Sequence, residues 1–168
     1  NSKKGNKKAQ IQLYDLFSEA MFFISCRYLK NEEEAKDVMQ DAFLKAFLNL
    51  DTYSKEASFG SWLKKIVINT CIDKLKKKNL DTVSIDNLPL EILEDDDWNF
   101  DIKISKNEII EAIEKLKLKY KFVVKLYLIE GYDHSEIAEI LNIPIKTSRT
   151  HLRRGKMELR NLLKTDKL

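Results

Sequence analysis

The side chains with the most chemistry to offer are a run of cations near the C-terminal end. Lys146, Arg149, Arg153, Arg154, Lys156, Arg160 and Lys164 stand against a single acid, Glu158. Beside them Leu152, Gly155, Leu159 and Leu163 recur at intervals of three and four. One amphipathic helix from Ile145 to about Leu163 buries the apolar row and displays the charged one. Such a surface neutralises phosphates, and its arginine forks can hydrogen-bond guanine edges. Just upstream, Asp133-His-Ser-Glu136 is a capping box. It opens a short helix, Glu136–Leu141, with Ile137, Ala138 and Leu141 inward and the small Ala138 where two helices cross closely. Asn142-Ile-Pro144 is a tight turn. Short helix, turn and basic helix together have helix-turn-helix form. In a recognition helix the N-terminal residues reach base edges, here Lys146, Thr147, Arg149, Thr150 and Arg153. Arg154, Lys156 and Arg160 lie further along, placed for phosphates. The bland alternative is a basic helix that only solvates; the preceding helix and turn weigh against it.

A second group lies in Ser58–Lys78, where Phe59 and Trp62 mix with Lys64, Lys65, Lys74, Lys76, Lys77 and Lys78. Aromatics beside cations hold unpaired bases, stacking contributing about 1–3 kcal/mol per base. Asn69 and Asp73, one helical turn apart, offer groups for a Watson–Crick edge. Equally, Phe59 and Trp62 can be core residues and the lysines a solubilising face; this segment alone leaves both readings open. Asp37, Gln40, Asp41 and Lys45 border the apolar seam of an earlier helix and suit either a partner protein or water.

Catalytic chemistry has little support. His134 and His151 lack metal-ligand spacing, and no Ser or Cys nucleophile has a recognisable base. No enzyme activity, cofactor or metal is expected. His134 is expected to decorate a helix start, and His151 to face solvent or DNA. Cys26 and Cys71 sit within apolar helical patterns, which suits reduced core thiols rather than a disulfide framework. With no signal peptide and no apolar run near roughly 18 residues, the expectation is a cytoplasmic protein without membrane insertion. The chain ends soon after the basic helix, so no appended sensory domain is expected.

These residues need helices to position them. From Ala9 to Leu29 the apolar positions Leu13, Leu16, Phe17, Ala20, Met21, Ile24 and Tyr28 follow helical spacing, after a frayed 1–8. Asn31-Glu-Glu-Glu supplies an N-cap and an acidic first turn. The helix it opens carries Ala35, Val38, Met39, Ala42, Phe43, Ala46, Phe47 and Leu50. A connector over 51–58 leads to the helix Ser58–Lys78, with its Lys-rich last turn. Residues 79–107 break the periodicity with Pro89 and the run Glu94-Asp-Asp-Asp97; Trp98 and Phe100 there are conspicuous enough to dock on a neighbour. Then Ile109, Ile110, Ile113 and Leu116 form one stripe and Tyr120, Val123, Val124, Tyr127 and Leu128 another, ended by Gly131 as a left-handed cap. Only 4 Gly and 2 Pro in 168 residues disfavour an all-β fold with its many turns. Charge alternates in blocks. Residues 1–78 hold 15 Lys/Arg against 10 Asp/Glu, 79–107 hold 2 against 8, and 108–168 hold 13 against 9. The expectation is an all-α chain of two small helical domains, 1–78 and 108–168, each presenting a basic surface, joined by an acidic linker, 79–107.

Two stretches resemble a known family. Glu34-Ala-Lys-Asp-Val-Met-Gln-Asp-Ala-Phe-Leu-Lys-Ala-Phe followed by Phe59-x-x-Trp-Leu-x-x-Ile-x-x-Asn-x-x-x-Asp73 is similar to region 2 of extracytoplasmic-function sigma factors. Tyr127-Leu-Ile-Glu-Gly-Tyr-Asp-His-Ser-Glu-Ile-Ala followed by Thr147-Ser-Arg-Thr-His-Leu-Arg-Arg-Gly-Lys resembles their region 4. The resemblance implies a bacterial transcription initiation factor that brings core RNA polymerase to promoter DNA, with an anti-sigma factor as a further partner. It implies that Asp37, Gln40, Asp41 and Leu44 dock on the polymerase. It implies that Tyr53, Phe59, Trp62, Lys65, Asn69, Asp73 and Lys76 recognise and melt the −10 element, capturing an unstacked base. It implies that residues 133–164, through Lys146, Thr147, Arg149, Thr150, Arg153, Arg154 and Lys156, read the −35 element as duplex, while the linker threads the polymerase's channels. The sequence departs from the family at Lys146-Thr-Ser148, where Gly-Thr-Val is usual, so Ser148 replaces an apolar packing residue, and at Gly155, usually Ala. The runner-up reading is a helix-turn-helix repressor or activator whose first block dimerises or binds a ligand.

Overall fold

The computed structural model describes residues 6–79 and 104–165, and every regular element among them is helical. They fall into two compact units, the first within 1–85 and the second within 86–168.

In the first unit, α1 (Lys7–Tyr28), α2 (Glu32–Leu48) and α3 (Phe59–Lys78) each pack on the other two. α1 starts at Lys7, inside the stretch read as frayed, because the Asn6 side chain accepts from the Lys8 and Ala9 amides. Asn31 caps α2 as expected, accepting from the Glu34 amide at 3.0 Å, and Ser58 caps α3 through the Ser61 amide. The core joins Met21, Ile24 and Tyr28 of α1 to Val38, Met39, Ala42 and Phe43 of α2 and to Leu63, Val67, Ile68 and Ile72 of α3. The apolar stripe of α1 is wider than its seam: Leu16 is 72% exposed and Ala20 is also outside, against the inward placement expected of both. Cys71 is fully buried and Cys26 half-buried, both as free thiols. Lys78, at the end of α3, donates to Glu34 Oε2 in the first turn of α2 at 2.6 Å, tying the open ends of the two helices.

In the second unit, α4 (Lys106–Lys115), α5 (Leu118–Val124) and α6 (His134–Leu141) surround α7 (Ile145–Thr165). α4 begins at Lys106 because Ser105 and Glu108 form a capping box. α5 runs into one turn of π-helix, Lys125–Ile129, in which the Glu130 amide donates to Lys125 O. That wider turn rotates the side chains that follow. Tyr127 and Leu128, expected inward, are therefore exposed, while Phe122, Lys125 and Leu126 are buried. Ile110 likewise faces out, and Ala112 fills the seam beside Ile113 and Leu116. Buried Lys125 is paired with Glu114, which also accepts from Lys121 Nζ at 3.5 Å. Gly131, at φ 77°, turns the chain after the π segment, and Asn142, at φ 52°, ends α6. The Asp133–Glu136 capping box is formed in both directions, at 2.8 and 3.1 Å. Trp98 and Phe100, and most of the acidic stretch 79–107, lie outside the described residues.

Candidate nucleic-acid interface

The first unit contains an open cleft of about 430 Å³ between the C-terminal end of α2 and one face of α3. Trp62, Ile66, Asn69, Thr70 and Asp73 line it from α3, at the spacings that put residues on a single helix face. Lys45, Asn49 and Thr52 close it from the other side. Its polar groups are set by local bonds. Thr70 returns its hydroxyl proton to Ile66 O at 2.8 Å, and Lys45 Nζ donates to Thr70 Oγ1 at 3.4 Å. Asn49 Nδ2 gives one of its two protons to Lys45 O at 2.8 Å, and Oδ1 is an acceptor. The cleft thus offers an indole, an ammonium, two side-chain amides and a carboxylate. That inventory can stack a planar heterocycle and meet donors and acceptors on its edge.

Trp62 is held by aromatic neighbours. Its ring lies 5.3 Å from Tyr53 and 5.6 Å from Phe59; Tyr53 and Phe59 meet edge to face at 5.8 Å, and Phe17 of α1 backs Phe59 at 5.5 Å. Tyr53 Oη donates to Ala57 O at 2.8 Å, folding the connector onto this cluster. So Trp62, Asn69 and Asp73, named from sequence, meet in the cleft. Tyr53 and Phe59 support its aromatic wall, and Lys65 and Lys76 are not among its lining residues. Phe59 and Trp62 are half-buried, at once packing residues and surface. Lys45, Asn49, Thr52 and Thr70 are additions. Nothing in the spacing of Lys45, Asn49 and Thr52 links them to α3, because only the return of the chain brings them there; Thr70 is on α3 itself, beside Asn69.

On the outer face of α2, Asp37, Gln40, Asp41 and Leu44 are all exposed, and Leu48, 83% exposed, extends the row. An uncovered leucine pair beside two carboxylates is unusual on a helix whose other face is fully packed.

In the second unit, α7 buries Ser148, Leu152, Gly155, Leu159 and Leu163 against its neighbours.

 The expected inward face is joined by Ser148, which is fully buried. Lys146, Arg149 and Arg153 follow one row along the helix, with Lys146 and Arg149 exposed. Thr150 lies beside them, its hydroxyl turned back to Lys146 O at 3.0 Å. Thr147, His151 and Arg154 form a separate flank. Lys156 leans the other way, its Nζ 5.8 Å from the centre of the Tyr127 ring. His134 stands at a helix start as expected, as the first residue of α6, but it is also packed, and His151 is half-buried rather than facing solvent. His151 meets the Tyr120 ring edge-on at 5.5 Å, and burial, with Lys119 and Arg154 nearby, holds its pKa below 6.5. His134 stacks on Tyr127 at 5.0 Å and its Nδ1 is 2.9 Å from Ser148 Oγ. Burial, Arg149 and Lys156 lower its pKa despite Asp133. Both rings belong to the packing because α5 and the π turn offer them aromatic neighbours, Tyr120 for His151 and Tyr127 for His134, pairings that spacing does not encode.

Comparison with known proteins gives a consistent picture. The family description "Sigma-70 region 2" matches residues 13–80, and "Sigma-70, region 4" matches residues 106–159. The chain is 33% identical over 173 residues to the ECF RNA polymerase sigma factor SigW of Bacillus subtilis (strain 168), covering 96% of this chain and 92% of that protein. It is 27% identical to the ECF RNA polymerase sigma-E factor of Haemophilus influenzae, covering 94% and 89%. Two solved structures share the fold. One is the sigma factor RpoE in complex with the anti-sigma factor NepR from Bartonella quintana, with TM-score 0.62, 20% identity and coverage of 95% and 99%. The other is CnrH in complex with the cytosolic domain of CnrY, with TM-score 0.61, 22% identity and coverage of 98% and 94%.

Proposed function

Because the chain belongs to the extracytoplasmic-function family of RNA polymerase sigma factors, and so directs RNA polymerase to promoters in transcription initiation, we propose a division of that work among its residues. The first unit takes the −10 element. Trp62, Asn69 and Asp73 receive a base unstacked from the non-template strand, with Tyr53 and Phe59 holding the indole in place. Lys65 and Lys76 on the same helix follow the strand's phosphates. Unstacking costs a few kcal/mol, and stacking on the indole returns about 1–3 kcal/mol, the remainder coming from edge contacts and phosphate neutralisation. The second unit reads the −35 duplex through Lys146, Thr147, Arg149, Thr150 and Arg153, while Arg154 and Lys156 hold phosphates on the two flanks. Asp37, Gln40, Asp41 and Leu44 dock on core polymerase, with Leu48 extending that surface.

The observation that carries this reading is the cleft, where an indole and hydrogen-bonding groups of both kinds converge. The factor adds no bond-making chemistry, in keeping with the non-enzymatic role of its family. It acts in the cytoplasm and is held in check by an anti-sigma factor, as the partners of the fold neighbours suggest; no helix among the described residues is long and apolar enough to cross a membrane.

Run-off transcription with core polymerase and a promoter library tests the division. Trp62→Ala and Asn69→Ala should leave polymerase binding intact and lower open-complex formation. Equal loss of both activities would remove the first unit's assigned role, and transcripts obtained without any −10 preference would do the same.

A further inference from the structure

Ser148 is an unusual residue for its place. It is fully buried where α7 packs against the rest of the second unit, and a buried hydroxyl without a partner costs about 1–3 kcal/mol. Helical hydroxyls commonly find that partner in their own helix. Ser25 bonds Met21 O, Thr70 bonds Ile66 O and Thr150 bonds Lys146 O, each four residues back. Ser148 instead pairs across the turn with His134 Nδ1 at 2.9 Å, while its amide makes the ordinary helical bond to Pro144 O at 3.1 Å. His134 is the first residue of α6, directly after the Asp133 cap. Its ring is stacked on Tyr127 at 25° between planes, and that same Tyr127 ring lies beneath the Lys156 ammonium. A polar clasp and a ring stack therefore connect three segments: the π turn, the start of α6 and the first turn of α7.

We propose that His134 is a positioning residue for duplex reading: held between the Ser148 hydroxyl and the Tyr127 ring, it fixes the roll of the first turns of α7 and hence the aim of Arg149 and Arg153. This rests on the reading above, in which those arginines meet base edges. Roll matters because Arg149 directly follows Ser148. A rotation of the helix about its axis carries the arginine tips sideways, and a bidentate contact to a base does not survive a shift of an ångström or so. Phosphate contacts from flexible Lys and Arg side chains tolerate it. The clasp is thus a device for selectivity more than for affinity, and its loss separates the two.

The test uses the holoenzyme, assembled from core polymerase and the full chain, and a promoter duplex library with the −35 element randomised. Bound DNA is recovered and sequenced, and total retention is measured separately. His134→Ala and Ser148→Ala are each expected to flatten −35 discrimination by about ten-fold, with total retention changed far less. The double variant should be no worse than His134→Ala alone, because that variant already breaks the bond to Ser148. His134→Asn, which places an amide near the position of Nδ1, should restore most of the discrimination. His134→Phe, which keeps the ring on Tyr127, should not, and it decides the matter should His134→Ala fail to fold. Discrimination unchanged in His134→Ala and His134→Phe overturns the proposal, as does a double variant whose loss is the product of the two singles, or an Asn variant no better than Ala. Wild-type holoenzyme that selects no −35 sequence instead refutes the reading of α7 on which the proposal stands.

Discussion

Replacing Gly155 by alanine sets two opposing effects against each other, and the structure decides which prevails. Alanine is favoured over glycine in a helix interior by about 1 kcal/mol. Judged by helix propensity alone, Gly155→Ala should stabilise α7. Gly155, however, is buried against α5. A Cβ there would stand 2.6 Å from Val124 Cγ2, 3.3 Å from Tyr120 Cβ and 3.7 Å from Tyr120 O. None of these is the far end of a flexible side chain: valine has a restricted χ1, and a Cβ moves only with its backbone. Overpacking of this kind costs about 1–3 kcal/mol. The net expectation is a loss of about 1 kcal/mol, which in a domain of roughly 60 residues lowers the melting temperature by about 4–8 °C. Scanning calorimetry of the full chain, with hydrogen exchange of α5 and α7 amides to identify the affected unit, measures it. The reasoning also predicts coupling. In a Val124→Ala background the shortest contact is gone and only the milder one to Tyr120 Cβ remains, so Gly155→Ala should cost less there, an interaction of about 1 kcal/mol or more. A single Gly155→Ala variant that melts at or above the wild-type temperature, or a cycle with no coupling, refutes the account.

Other expectations follow from the same geometry. Arg149→Ala and Arg153→Ala should lower −35 selectivity by roughly ten-fold each while leaving core-polymerase binding intact in a pull-down. Glu114→Ala removes the carboxylate that pairs with buried Lys125 and should destabilise the second unit, read by denaturant titration; Glu114→Ala combined with Lys125→Met should recover much of that loss. Burial raises the Glu114 pKa, but the hydrogen bond and charge of Lys125, with Lys121, outweigh it, so the folded value lies below 4.5. A depressed carboxylate contributes stability above its unfolded pKa, so that contribution should fade as pH drops from about 4.5 through the folded value, and Glu114→Gln should remove this part of the acid titration. His151, depressed below 6.5 by burial and nearby cations, gives stability present above that pH and lost as it is protonated below it. His151→Phe should flatten the stability profile of the second unit on the acid side of 6.5.

The fold was legible where local chemistry sets it. Asn31, the Asp133–Glu136 pair, Gly131 and Asn142 mark helix ends by effects confined to a few residues, and they act where expected. The positions of Trp62, Asn69 and Asp73 on one helix face also follow from period alone. Periodicity misled after Val124, because a π turn changes the angular step between residues; Tyr127 and Leu128 came out and Lys125 went in. Leu16 shows the opposite error, an apolar residue with helical spacing but nothing packed on it. Lys45 and Asn49 were missed in the cleft since the residues they face across it lie on α3, and Ser148 read as a departure from an apolar pattern when it is bonded across the turn.

Trp62 has one more use. The chain holds two tryptophans, and the other, Trp98, is in the acidic stretch. Replacing Trp98 by phenylalanine would leave a lone indole emitter at the rim of the cleft, with Tyr53 and Phe59 as its fixed surroundings. A nucleobase sliding against that ring would quench it, so the opening of promoter DNA could be timed by fluorescence in the unlabelled factor, without attaching a dye to either strand.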